Sequence, residues 1–293
     1  MWAARFGGAG GAAAYLRAMP SLSDLLPPAL LRLAGRVQAR VPALRPLFQA
    51  VAGRVAAGEG VIQHGPAAGL RFHAGVPIAG YRRGTTEPDF QAAFAERIRA
   101  GDVVYDVGAN VGFYTVLAAR LVGPAGRVVA FEPFPESAAR ARANAARNGF
   151  AHVEVVEAAV ADAPGTALLT LSTSPVTHHL AGAGAYHRPA GAPGVEVAVT
   201  SIDAFVAGGG PPPTVVKIDV EGAEVAALHG MAATLRDHRP SVIVEVHDAV
   251  SDIPAALDAL VVPLGYRVRV LGGGPVPAGG ARGHVLLDPP DRL

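Results

Sequence analysis

From Asp102 onward the chain alternates short runs rich in β-branched residues with helical stretches, and this alternation limits the fold more than any other feature. DVVYD (102–106), RVVAFEP (127–133), VEVVEAAV (153–160), VVKID (215–219) and SVIVEVH (241–247) read as strands. Helical stretches follow four of them, at about Val111–Leu121, Pro135–Asn148, Glu221–Leu235 and Ile253–Val262. Apolar strands separated by helices require a parallel sheet covered on both faces, because only crossover helices join parallel strands and only helices then shield both sides. Two further β-like runs, YRVRVL (266–271) and GHVLLD (283–288), flank a Gly- and Pro-rich turn and are expected to form an antiparallel edge hairpin. ALLTLS (167–172) and VEVAVTSID (195–203) frame a Gly-, Pro- and His-rich segment, Thr173 to Gly194, that reads as a long functional loop.

With 293 residues there is room for one large α/β domain and an extension, and 51% apolar against 17% charged residues is enough to fill its core. The domain is expected over 61–293. Residues 1–60 are rich in Ala, Leu, Arg and Pro, with leucines spaced as in short helices cut by Pro27, Pro28 and Pro42. A packed helical N-terminal extension is expected there; a substrate cap or a membrane-surface helix is the alternative, since Arg32, Arg36, Arg40 and Arg45 alternate with the apolar residues. No uninterrupted apolar run reaches spanning length, and the start makes a poor signal peptide, so a cytoplasmic location is expected. A net charge of +1 gives no field to gather nucleic acid. The absence of cysteine removes thiolate metal sites and thiol nucleophiles together.

In an open parallel sheet, ligands bind beyond the carboxyl ends of the strands at the switch in strand order. That places Asp106, Gly108, Ala109, Asn110 and Gly112 at the site. The glycines are four apart, so the dinucleotide fingerprint GxGxxG is absent. Glycine lets the backbone turn sharply against a ligand, and Asp106 at the strand end can accept from an ammonium. Glu132 ends the second strand, where a carboxylate can accept from both ribose hydroxyls. A nucleoside carrying an amino-acid tail, S-adenosylmethionine, suits this set better than NAD.

GDVVYDVGANVGFYTVLAA (101–119), AFEPFPES (130–137), VVKIDVEGAE (215–224) and Glu87-Pro88 resemble the FkbM-type methyltransferases, over about residues 81–247. The resemblance implies a class I, Rossmann-like methyltransferase fold: α/β, with a seven-stranded, mostly parallel sheet and helices on both faces. It also implies S-adenosyl-L-methionine as cofactor and transfer of a methyl group, usually to a hydroxyl oxygen. It carries Glu87, Asp106, Gly108, Asn110, Gly112 and Glu132 to the surroundings of the cofactor. Many related methyltransferases read the adenine amino group with an acid at the place that Ala159 occupies here, with Glu157 and Asp162 as neighbours.

A hydroxyl acceptor must lose a proton, so a base is expected among the residues at the ends of the fourth and fifth strands: Lys217, Asp219, Glu245 and His247. Lys217 and Asp219 are two apart and share a strand face, as do Glu245 and His247. All but one of the 25 basic residues are arginine, and the exception is Lys217, which suggests a specific need for a compact ammonium. Asp219 is the first choice for activating the acceptor, with a strand-end salt bridge to Lys217 as the purely structural alternative. Glu221 and Glu224 are expected to open the next helix favourably. Asp219, Glu245 and His247 can instead hold a divalent metal that polarises the hydroxyl, although no metal is needed for the primary reading. His178, His179 and His187 in the long loop are exposed histidines or substrate contacts. The expected partner is a hydroxyl of a sugar, glycan or polyketide-like metabolite. The alternatives are N-methylation and a cofactor-binding module without turnover.

Overall fold

The computed structural model describes residues 59–75, 79–171, 178–180, 194–247, 252–278 and 281–292. Residues 1–58 of the expected N-terminal extension and His187 lie outside them, and its last two residues, Glu59 and Gly60, belong to a strand. A short antiparallel hairpin, β1 (Glu59–Val61) and β2 (Arg71–His73), comes first, followed by α1 (Ala79–Arg83) and α2 (Pro88–Arg97). The alternating core then runs β3 (Val103–Val107), α3 (Phe113–Val122), β4 (Arg127–Phe131), α4 (Pro135–Arg147) and β5 (Val153–Val156). A second sheet interrupts it: β6 (Ala159–Val160), β7 (Gly165–Leu171), β8 (His178–Leu180) and β9 (Gly194–Thr200). The core resumes with α5 (Ile202–Ala207), β10 (Val215–Ile218), α6 (Glu224–His229), α7 (Ala232–His238), β11 (Ser241–Val246), α8 (Ile253–Leu260), β12 (Arg267–Val270) and β13 (Gly283–Asp288).

The main sheet has seven strands in the order β12-β13-β11-β10-β3-β4-β5. Strands β11, β10, β3, β4 and β5 are mutually parallel, and β13 is antiparallel to both of its neighbours. The expected seven-stranded class I fold is therefore the one observed. The final hairpin is antiparallel as read, with β12 at the edge and β13 between it and β11. The strand order reverses between β3 and β10, which both start crossovers in opposite directions, so a crevice opens at their carboxyl ends.

Two apolar cores explain why the strands are buried on both faces. One face packs Val104, Val128 and Val215 against Phe72, Phe90, Phe94, Phe113 and Leu117. The other packs Tyr105, Val107, Val129 and Ile218 against Ile202, Leu228, Leu235 and Leu257. Asp106 and Lys217 fall on the first face by the alternation of the pleat, facing one another as register partners across β3 and β10.

Three sequence readings needed adjustment. VEVVEAAV is two strands in two sheets, because the chain bends at Glu157 and Ala158 and β6 pairs with β9 instead of continuing beside β4. The helix expected over Glu221–Leu235 is divided into α6 and α7 at Gly230, where a Cβ would stand 2.0 Å from the Ala161 carbonyl oxygen. The segment Thr173–Gly194 is not wholly loop, since His178–Leu180 pairs with β7.

Candidate active site

A cavity of about 250 Å³ opens at the carboxyl ends of β3, β4, β10 and β11. One end is built from the turn after β3. Gly108 has φ +76°, and a Cβ there would lie 1.8 Å from the Asp219 carbonyl oxygen, so only glycine lets β3 and β10 run this close. Asn110 is also left-handed, with φ 49°, which aims its N–H at the Glu132 carboxylate, 2.8 Å away. The other Glu132 oxygen accepts from the Phe134 N–H at 2.8 Å. Burial pushes the Glu132 carboxyl up to about 7, against the lowering effect of those two backbone donors. Ala158, Ala159, Val160 and Leu169 close this end with apolar surface. Among the described residues, Glu157 is turned outward to Arg142 and Asp162 is exposed, so neither supplies an acid to the apolar wall.

The other end is charged. Lys217 is buried, and its ammonium is held by the Asp106 carboxylate at 3.1 Å, the Asp219 carboxylate at 3.2 Å and the Gly108 carbonyl at 3.0 Å. Three acceptors match the three protons of an ammonium. Burial alone would lower the Lys217 pKa, but the two aspartates raise it well above the usual lysine range. Asp106 is fully buried, and its second oxygen accepts from Thr115 Oγ1 at 2.6 Å. Asp106 is therefore engaged internally and is absent from the cavity wall; Gly112 also stands behind it, left-handed at φ +86° and packed on Ala141.

His247 follows the end of β11. Its Nδ1 donates to the buried Glu224 carboxylate at 2.8 Å, and Glu224 also accepts from the Gly222 N–H. Its Nε2 faces Glu245 at 3.4 Å, Glu221 at 3.5 Å and Asp219 at 3.7 Å. Burial works against the imidazolium, yet these carboxylates raise its pKa to about 11. Burial also raises the Asp219 carboxyl, which Lys217 opposes.

Of the residues singled out from sequence, Glu87, Gly108, Ala109, Asn110, Glu132, Ala159, Lys217, Asp219, Glu245 and His247 line the cavity. Sequence reasoning missed Tyr81, Thr86, Phe113, Tyr114, Glu221 and Leu169 as cavity walls. Tyr81 stacks on Phe113 with ring centroids 5.1 Å apart, and Tyr114 donates to Glu87 at 3.1 Å. His284 was missed too. It is the register partner of Glu245 and stands 3.5 Å from Glu87, so the available signal was its place in the final hairpin. Among the described residues, three of the four non-glycine residues with positive φ, Glu87, Asn110 and Glu221, line this one cavity. Strained backbone held by its surroundings gathers at functional sites.

A crevice at the strand-order switch, a glycine turn with no room for a Cβ and a buried strand-end glutamate lie together here, the combination that the sequence reading expected around a nucleoside. The methyltransferase FkbM domain family matches residues 106–268, over half of the chain, and the protein belongs to that family. The chain is 38% identical over 109 residues to the 31-O-demethyl-FK506 methyltransferase FkbM of Streptomyces tacrolimicus, covering 34% of this chain and 41% of that one. It is 30% identical over 165 residues to the hexuronic acid methyltransferase AglP of Haloferax volcanii, covering 56% and 64% respectively. The chain thus spans less than two thirds of either relative. The crystal structure of methyltransferase FkbM from Methylobacillus flagellatus aligns with a TM-score of 0.44 at 16% identity, covering 69% of this chain and 51% of that one. S-Adenosyl-L-methionine is the cofactor. Among the described residues no helix is long and apolar enough to cross a membrane.

Proposed function

We propose that the protein methylates a hydroxyl oxygen on a sugar, glycan or polyketide-like metabolite. The observation that carries this reading is the division of a single cavity into a nucleoside end and a proton-handling end. The cofactor supplies an activated methyl on a sulfonium. Gly108, Ala109 and Asn110 let it approach the backbone, Glu132 accepts from its ribose, and Ala159 with its apolar neighbours takes the adenine. Burial of Glu132 and its two backbone donors fix the carboxylate before the ligand arrives, which reduces the ordering cost of binding.

At the other end Asp219 is the base for the acceptor hydroxyl. Lys217 holds one Asp219 oxygen, leaving Oδ1 turned to His247 and the cavity. Lys217 itself is a positioning residue, since its three protons are already committed. Glu245 and His247 can pass the released proton onward, and alignment of acceptor and methyl supplies the remaining acceleration. One named relative supports transfer to oxygen, being named for a 31-O-demethyl substrate, and the other supports a sugar-like acceptor, being named for a hexuronic acid.

The test is incubation with S-adenosylmethionine tritiated on the methyl, against a panel of hydroxylated sugars and macrolactones beside matched amines. Label in a base-stable ether supports the proposal. Label confined to amines, or to base-labile esters, contradicts it.

A further inference from the structure

We propose that Asn144 is a positioning residue for cofactor binding, joining the turn after β3 to the N-terminal hairpin so that docking of the hairpin and binding of the cofactor reinforce one another. The proposal rests on the cofactor's place at that turn and adds to it a second element, β2, which is absent from the cavity wall.

Asn144 lies in the last turn of α4 and is fully buried. Its carboxamide nitrogen donates to the Val111 carbonyl at 2.9 Å and to the His73 carbonyl at 3.1 Å, and its oxygen accepts from the His73 N–H at 2.9 Å. Both amide protons are thereby used. The partners also fix its orientation: turned over, the amide would set its NH2 against an N–H and its oxygen against two carbonyls. A buried carbonyl left without a donor is costly, so the bond to Val111 restricts where the turn can stand. Val111 sits between Asn110, whose N–H reaches Glu132, and Gly112, which packs on Ala141 of the same helix. One helix therefore grips the turn at two points.

The link to the hairpin comes from a match of spacings. One edge of β2 pairs with β1, and the other meets α4. Asn148 accepts from the Arg71 N–H at 2.9 Å and donates to the Arg71 carbonyl at 2.8 Å, as Asn144 does for His73. Four residues along a helix advance about 6 Å and two along a strand about 6.5 Å, so asparagines four apart can stand in for the backbone amides of a neighbouring strand. The two differ in reach. Asn148 bonds to β2 and to its own helix, whereas Asn144 also holds the turn.

The hairpin matters to the cavity through Phe72, which is fully buried and packs edge-on against Tyr81 and Phe113 with ring centroids 5.8 Å away in each case. Both of those rings line the cavity. A shift of the hairpin is thus felt in the cavity wall, and a shift of the turn is felt at His73. Such coupling is reciprocal: what the cofactor gains from a docked hairpin, the hairpin gains from the cofactor.

The experiment titrates the full chain and its variants with S-adenosylhomocysteine by calorimetry and follows amide exchange over residues 59–75 with and without that ligand. Asn144→Ala should weaken binding by about 5- to 150-fold, the usual range of coupling between two sites, while Asn148→Ala stays within about threefold. The ligand should slow exchange over 59–75 in the unaltered chain and in Asn148→Ala, and leave it unchanged in Asn144→Ala. The rise of affinity with pH should also move to higher pH in Asn144→Ala, because a loosened turn withdraws the Asn110 N–H from Glu132. Asn144→Asp keeps the acceptor for His73 and removes both donors, and is expected to give the same results should Asn144→Ala not fold. Unchanged affinity in a folded Asn144 variant, equal losses in the Asn144 and Asn148 variants, or exchange over 59–75 indifferent to ligand in the unaltered chain overturns the coupling and leaves the cofactor site standing. Failure of the unaltered chain to bind S-adenosylhomocysteine overturns both.

Discussion

The two ends of the cavity are built on opposite principles. The end proposed for the nucleoside is largely backbone: a left-handed glycine, a left-handed Asn110 and one buried carboxylate within a single turn and the next strand. The end proposed for the acceptor is side chains brought from four distant places, Glu87, Lys217 to Glu224, Glu245 to His247, and His284. The difference teaches which parts can vary independently. Backbone geometry admits few substitutions, whereas the side-chain cluster, Lys217 excepted, can be remade with less disturbance to the fold.

The comparison is broken most forcefully at Lys217, which belongs to both ends through Gly108 and Asp219. Lys217→Met should leave the buried Asp106 and the part-buried Asp219 without their counter-charge and cost about 3–5 kcal/mol of stability, read from denaturant unfolding. A loss under about 1 kcal/mol would mean that the triad does not hold β3 and β10 together.

Asp219→Asn sharpens the comparison within the acceptor end. Turnover should fall by about 10²–10⁴, the usual contribution of a general base, while S-adenosylhomocysteine affinity stays within about threefold. Equal loss of both would move Asp219 to the cofactor.

Glu132→Ala probes the nucleoside end and should weaken S-adenosylhomocysteine binding by about 1–3 kcal/mol, as for other lost charged hydrogen-bond partners. Unchanged calorimetric affinity in the folded variant would remove the ribose assignment.

The smallest effect is a pH dependence. Glu132 has its folded carboxyl raised to about 7. The protonated form is therefore favoured in the fold, and stability from this group declines as pH rises from the ordinary carboxylate range through 7. Ribose binding requires the ionised form, so affinity for S-adenosylhomocysteine should rise about tenfold from pH 6 to pH 8, in step with ionisation. Glu132→Gln should flatten that rise; a flat profile in the unaltered protein would contradict it.

How much was legible in the sequence follows the same division. Strand and helix periodicity located the strands of the main sheet, because buried parallel strands write themselves as apolar runs. The turn from Asp106 to Gly112 and Glu132 were readable since they are contiguous or one strand apart. The meeting of Lys217 with Asp106 was hidden, because it depends on register between β3 and β10, which no local pattern encodes. His284 was hidden for the same reason, being tied to Glu245 only by the antiparallel pairing of β13. Asp106 looked like a ligand contact by its place at a strand end, and its neighbours in three dimensions had already claimed both of its oxygens.

The central claim is that the turn after β3 and Glu132 form a site for S-adenosylmethionine. Calorimetric titration of the purified chain with S-adenosylhomocysteine, beside NAD, tests it most directly. Saturable binding of S-adenosylhomocysteine at one site per chain, with no heat from NAD, is the predicted result. Binding of NAD, or of neither ligand, would contradict it.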